Sequence, residues 1–150
     1  MTTTMATEAT TTQVYRVFIK ASPEAVWDAI TKPEFTERYF HGVRIELRDG
    51  RRWSSLGDGR AWDEAILEED PPCRLVHTWR AGYDPELAAE EPSRVTWEIE
   101  GREHGMTLLT VVHDRLEGAP RTAAGVAGEG WMFVLSNLKT FLETGQSLTS

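Results

Sequence analysis

The sequence predicts an α+β fold in which a curved antiparallel sheet packs against a long C-terminal helix. Between 42 and 116, about six segments rich in β-forming residues follow one another, each bounded by Gly or Pro. The apolar residues of 131–145 recur at helical spacing and form one broad face. Because such a sheet has a face to bury, the long helix is its expected cover.

The N-terminal part predicts one strand followed by two short helices. The segment 13–21 alternates β-forming residues and predicts the first strand. Ser22 is a favourable N-cap and Pro23 fits the first helical position, so a helix should begin there. Pro33 ends this helix or begins a second one over 33–40. The first strand, separated in sequence from the others, should pair at their edge.

Two Asp-Gly pairs predict tight hairpins within the strand-rich region. They end the segments "GVRIELRDG" and "RRWSSLGDG", and Asp-Gly is the strongest short hairpin signal. The loop 82–92 is longer and could carry a helical turn. Gly145 is placed to cap the last helix.

Size and charge limit the function classes. The 150 residues, 40% hydrophobic and 27% charged, suit one domain over 13–145. The net charge of −8 argues against binding to nucleic-acid phosphates or to an anionic membrane surface. No apolar run approaches the ~18 residues of a membrane span.

The termini and the single cysteine give further expectations. The Thr/Ala-rich segment 1–12 is expected to be a disordered tail rather than a secretory signal, and 146–150 to be a C-terminal tail. One cysteine excludes an internal disulfide and fits a reducing, cytoplasmic setting. The sequence predicts no oligomeric state.

Four segments carry a resemblance to a known superfamily: "SPEAVWDAITKPE", "RYFHG", "DPPCRLVHTW" and "EGWMFVLSNLKTFLE". Over roughly 13–145 the chain resembles the START-like (SRPBCC, Bet v 1-like) superfamily. Within it, the chain is similar to the C-terminal domain of activator of Hsp90 ATPase homologues. The resemblance implies a helix-grip fold with an apolar cavity between the sheet, the long helix and the two short helices. It also implies that the Gly-rich segment 124–131 borders the cavity, where we expect flexible backbone.

The richness in aromatic residues is the best sequence signal for ligand binding. The chain has six tryptophans, and indole rings offer an apolar wall with a polar tip. Core packing is the competing explanation for each of them. The residues predicted to line the cavity are Tyr39, Phe40, His41, Trp53, Trp62, His77, Trp79, Trp97 and Trp131.

Cys73 and His77 look at first like a catalytic or metal-binding pair. On a strand, residues four apart lie about 13 Å from each other, so the two side chains cannot act together. His77 is then either a hydrogen-bonded core histidine or one polar group in the pocket. No HxH, HExxH or CxxC spacing occurs, so neither a metal nor a cofactor is predicted. No catalytic residue is identified.

Glu64 could act as a general base if it were buried. It shares a strand face with Trp62 and Ile66. If that face is concave, Glu64 lies inside; if it is convex, Glu64 is a solvated charge. The solvated interpretation is the one we favour from sequence.

Three functions remain compatible with these patterns. The first is binding of a small hydrophobic ligand for carriage, sensing or sequestration. The second is a cyclase- or dehydratase-type enzyme in the same cavity, with His77 or Glu64 as general acid/base. The third is an Hsp90 co-chaperone, which we rank last because the family activator has an additional N-terminal domain and this chain predicts only one.

Overall fold

A single antiparallel sheet forms the framework of the domain. The computed structural model describes residues 11–149. Its seven strands lie in the order β1-β7-β6-β5-β4-β3-β2, so the first strand pairs at the edge with the last. The strands are β1 Gln13–Ile19, β2 Arg44–Arg48, β3 Arg51–Ser55, β4 Ala61–Asp70, β5 Arg74–Trp79, β6 Ser93–Gly101 and β7 Thr107–Asp114.

The long C-terminal helix covers one face of this sheet. The helices are α1 Pro23–Thr31, α2 Pro33–Tyr39, α3 Pro85–Ala88, α4 Pro120–Gly125 and α5 Trp131–Thr144, and a single 3₁₀ turn spans Glu103–Gly105. Ser22 caps α1 by accepting a hydrogen bond from the Ala25 N–H, and Gly145 ends α5 in the left-handed conformation. This architecture confirms the predicted α+β, helix-grip fold.

The turn between β2 and β3 has the geometry that Asp-Gly predicts. Asp49 and Gly50 are its two central residues and have φ of 54° and 72°. Positive φ at both positions matches the right-handed twist of the flanking strands. Farther on, β4 changes register against β5 between Ile66 and Glu68, and this irregularity bends the strand.

The Gly-rich segment before α5 is helical, which corrects the expectation of flexible backbone. After α4, Val126–Gly130 forms one π-helical turn that leads directly into α5. The Glu90 carboxylate, in the loop between α3 and β6, accepts hydrogen bonds from the backbone N–H groups of Arg121 and Thr122 and so caps α4. Tertiary contacts therefore override the low helix propensity of glycine.

The core lies between the sheet, α5 and the two short helices. Its most buried residues come from every strand except β3 and β4 and from α1, α2 and α5. Asn137 of α5 links distant segments, since it donates to the Tyr39 carbonyl and accepts from the Leu148 N–H.

The first ten residues of the predicted tail 1–12 lie outside the described residues. No helix within 11–149 is long and apolar enough to cross a membrane.

Candidate functional site

A cavity of about 390 Å³ lies between the concave side of the sheet, the end of α2 and the start of α5. It opens to solvent beside the exposed residues His41 and Arg60. Its volume is in the range of small-molecule sites. The lining residues are Phe40, His41, Val43, Ile45, Arg52, Ser54, Leu56, Arg60, Trp62, Trp79, Arg80, Tyr83, Val126, Gly130, Trp131 and Val134.

Three aromatic rings meet at the inner end of the cavity. The Trp79 ring centroid lies 5.5 Å from that of Trp131 and 6.3 Å from that of Phe40. Phe40 and Trp131 meet edge to face at 6.2 Å. These distances are typical of favourable aromatic pairs, so the rings form a continuous apolar wall.

The structure brings five of the nine residues predicted to bind ligand to the cavity wall. They are Phe40, His41, Trp62, Trp79 and Trp131. Their binding role remains a prediction. The other four, Tyr39, Trp53, His77 and Trp97, are not among the lining residues.

His77 and Trp97 form a satisfied hydrogen-bonded pair in the core. His77 Nε2 accepts from Trp97 Nε1 at 2.9 Å, and His77 Nδ1 donates to the Thr78 carbonyl at 2.7 Å. Both ring nitrogens are thus occupied in the neutral imidazole. Burial, reinforced by the positive charge of Arg52, holds the pKa of His77 well below its usual range.

Tyr39 and Trp53 are turned away from the cavity. The Tyr39 hydroxyl donates to the Ala29 carbonyl at 2.7 Å inside the helical layer. Arg52 and Ser54, the neighbours of Trp53 on β3, line the cavity. Strand alternation therefore places Trp53 on the opposite face of the sheet. There the Arg48 guanidinium lies 4.5 Å from the Trp53 ring.

A second buried histidine holds the aromatic wall in place. His113 Nδ1 accepts from Trp131 Nε1 at 3.0 Å, and its Nε2–H faces Ser93 Oγ at 2.7 Å. Ser93 Oγ in turn donates to the Trp79 carbonyl. Burial lowers the pKa of His113 to about 4, so the ring is neutral at pH 7.

Glu64 is buried, so the favoured solvated interpretation was wrong. Its side chain accepts from Thr78 Oγ1 at 2.6 Å and from the Arg80 N–H at 3.0 Å. Burial raises the pKa of this carboxyl, although these hydrogen bonds and Arg52 oppose the rise. The strand register pairs Glu64 with Arg52 on the concave side, and sequence alternation could not say which side is concave.

Arg52 lines the cavity and is absent from the residues predicted from sequence. It is only 2% exposed, and its guanidinium carbon lies 5.5 Å from the Trp79 ring and 5.9 Å from the Phe40 ring. Burial lowers its pKa to about 10, against the opposing effect of Glu64, so Arg52 keeps its charge at pH 7. The sequence signal that could have identified it is strand alternation, since Arg52 and Ser54 lie on the same face of β3.

The structure places Cys73 and His77 in different environments. Cys73 is a free, exposed thiol, whereas His77 is fully buried. Within 11–149, no group of three or more His, Cys, Asp or Glu side chains is placed to hold a metal ion.

Gly82 packs directly on the indole of Trp62. A methyl group at Gly82 would lie 2.6 Å from the Trp62 Cβ. Gly82→Ala should therefore displace Trp62 from the cavity wall and lower the free energy of unfolding by about 1–3 kcal/mol, measured by urea denaturation. Gly57→Ala is the matched control, since no atom lies within 4 Å of its added Cβ. Equal stability of the two variants would contradict this packing argument.

A comparison with known protein families shows to which family this chain belongs. The family described as Activator of Hsp90 ATPase homolog 1-like protein matches residues 20–143. This chain belongs to that family. The match covers the helices and strands that enclose the cavity, and it agrees with the superfamily predicted from sequence. Comparison with curated proteins found no match.

Several solved structures of other proteins have a fold similar to that of this chain. MLL2253 from Mesorhizobium loti is 28% identical with a TM-score of 0.70, and the match covers 88% of this chain and 96% of that one. CalU16 from Micromonospora echinospora is 25% identical with a TM-score of 0.66, covering 89% and 77%. PFC0360w, an HSP90 activator from Plasmodium falciparum, is 21% identical with a TM-score of 0.69, covering 89% and 96%, and shows likeness of fold alone.

Proposed function

We propose that this protein binds a small hydrophobic ligand in the aromatic cavity, for carriage, sensing or sequestration. The observation that carries the proposal is the wall formed by Phe40, Trp79 and Trp131 around a cavity that opens to solvent. A concave apolar site with a few polar groups is what a small molecule needs for affinity and orientation. Cys73, an exposed free thiol, is compatible with a reducing compartment, so we place this activity in the cytoplasm.

Titration with N-phenyl-1-naphthylamine, an uncharged aromatic probe, tests the proposal. We expect saturable binding with a Kd on the order of micromolar, seen as probe emission and as quenching of tryptophan fluorescence. Val126→Phe should weaken binding at least about tenfold, because Val126 lines the cavity and the larger ring fills it.

Met132→Phe is the matched control for this titration. Met132 is 52% exposed at the start of α5 and does not line the cavity. Binding should therefore match that of the parent protein. Non-saturable binding, or the same weakening in both variants, would overturn the proposal.

A cyclase- or dehydratase-type reaction in the same cavity is less favoured by the geometry. The two groups suggested for it, His77 and Glu64, already use their ring nitrogens and carboxylate oxygens in hydrogen bonds to the protein. Neither group lines the cavity. An acid–base role would require one of them to leave its partners.

An Hsp90 co-chaperone function also ranks below ligand binding. Hsp90 enters through the family description and through the protein of Plasmodium falciparum, which is similar in fold alone. The cavity provides no argument for a chaperone contact. Stimulation of Hsp90 ATPase activity by the purified chain is the measurement that would reverse this ranking.

A further inference from the structure

Three residues that line the cavity carry buried hydrogen-bonding atoms without a partner. They are Arg52 Nε, Ser54 Oγ and Trp79 Nε1. All three can donate a hydrogen bond, and two of them, the guanidinium and the indole N–H, can only donate. Buried polar groups in proteins are normally paired, because an unmet donor costs about 1–3 kcal/mol. This part of the cavity therefore lacks an acceptor.

Arg52 is held in place without being neutralised by a contact. The Trp79 and Phe40 rings flank its guanidinium at cation–π distances. Glu64 lies opposite Arg52 in the strand register, yet its oxygens accept from Thr78 and Arg80 instead. A buried cation with an unpaired N–H is costly for the fold unless something binds it.

The charged side chains that line the cavity are all basic, and acids lie beside two of them: Asp58 pairs with Arg60, and Glu64 faces Arg52 in the strand register. Among the described lining residues there is no Asp or Glu, whereas Arg52, Arg60 and Arg80 are all present. Asp58 offsets the charge of Arg60, whereas Arg52 is buried and has no salt-bridge partner among residues 11–149. A charge in a low-dielectric site attracts ligands of the opposite charge more strongly than an exposed one does.

We infer that the ligand is a planar, apolar molecule with one anionic oxygen group, such as a carboxylate, which Arg52 binds together with Ser54 and Trp79. This inference rests on the proposed function and defines the ligand class of the same site. The anionic group lies against β3 and β5, the strands that carry these three residues. The apolar body extends along Trp131 and Val134 at the α5 end of the cavity.

Isothermal titration calorimetry with 2-naphthoate and 2-naphthamide tests the inference, because the two probes share ring shape and differ in charge. The parent protein should bind 2-naphthoate roughly tenfold to a hundredfold more tightly than 2-naphthamide. Arg52→Met should remove this preference, so that its affinities for the two probes lie within about twofold of each other. Arg52→Lys should keep part of it, since a lysine retains the charge without the fork of donors.

Arg16→Met is the control for the change in net charge, since Arg16 is exposed and does not line the cavity. It should keep the full preference for 2-naphthoate. If the parent binds both probes equally, or if Arg52→Met or Arg52→Lys keeps the full preference, the inference is overturned while cavity binding stands. If neither these probes nor N-phenyl-1-naphthylamine binds, the proposed function fails as well.

Discussion

Trp97→Ala should lower the free energy of unfolding by about 3–5 kcal/mol, measured by urea denaturation at pH 7.5. Trp97 is 1% exposed and packs in the core against Trp131 at a centroid distance of 5.4 Å. The substitution removes this packing and leaves a cavity. It also takes away the N–H that satisfies His77 Nε2, which stays buried without a donor.

Two further variants separate packing from hydrogen bonding. Trp97→Phe keeps much of the volume but loses the N–H, so its cost should be intermediate, about 1–3 kcal/mol. Trp53→Ala should cost less than Trp97→Ala, because Trp53 is only half-buried on the opposite face of the sheet. Equal losses for Trp97→Ala and Trp53→Ala would show that the two tryptophans do not differ in packing as described.

Acidification from pH 7.5 to 5 should destabilise the fold through its buried histidines. Burial depresses the pKa of His113 from 6.5 to about 4, so between these values the unfolded chain binds a proton that the folded one excludes. The free energy of unfolding therefore falls as pH drops below 6.5, by about 2 kcal/mol at pH 5 from His113 alone. His77, whose pKa is depressed by burial, acts in the same direction.

Glu64 opposes this trend. Burial raises its pKa, so above the ordinary value of 4.5 the folded state holds the proton more tightly than the unfolded state. Its contribution to stability is present at low pH and is lost as pH rises through the raised pKa. Because two histidines act against one carboxyl, we still expect the free energy of unfolding to rise with pH between 5 and 7.5.

Urea denaturation of matched variants at pH 7.5, 6 and 5 checks the assignment. His113→Gln should flatten the pH dependence of the free energy of unfolding, whatever its absolute stability. His104→Gln should leave the slope unchanged, because the His104 side chain is 79% exposed. An identical slope in the parent protein and His113→Gln would rule out His113 as a source of the acid sensitivity.

Trp131 and Trp79 could be predicted because each has its own sequence signal. The apolar periodicity of α5 places Trp131 on its buried face, and Trp79 belongs to the segment "DPPCRLVHTW" that carries the superfamily resemblance. Both now line the cavity. His77 and Trp97 also face inward, but their hydrogen bond to each other places them in the core. Whether an inward residue borders space or fills it depends on neighbours from other strands.

The sequence did not determine on which side of the sheet Arg52, Trp53 and Glu64 lie. Alternation along β3 and β4 correctly groups residues by face, since Arg52 pairs with Glu64 and Ser54 pairs with Trp62. It does not say which face is concave. Successive residues of a strand point to opposite sides of the sheet. The concave face therefore determines whether Trp53 or Arg52 lines the cavity.

The sequence by itself determined the elements of this protein: strand alternation, the Asp49-Gly50 hairpin, the Ser22 cap and the apolar face of α5 are local patterns that act over a few residues. Only the tertiary structure decided the chemistry of the cavity. Curvature of the sheet around α5 buries Arg52 and Glu64 together and leaves Arg52 Nε without a hydrogen-bond partner. Burial and pairing of charges depend on residues far apart in the chain, which no local pattern encodes.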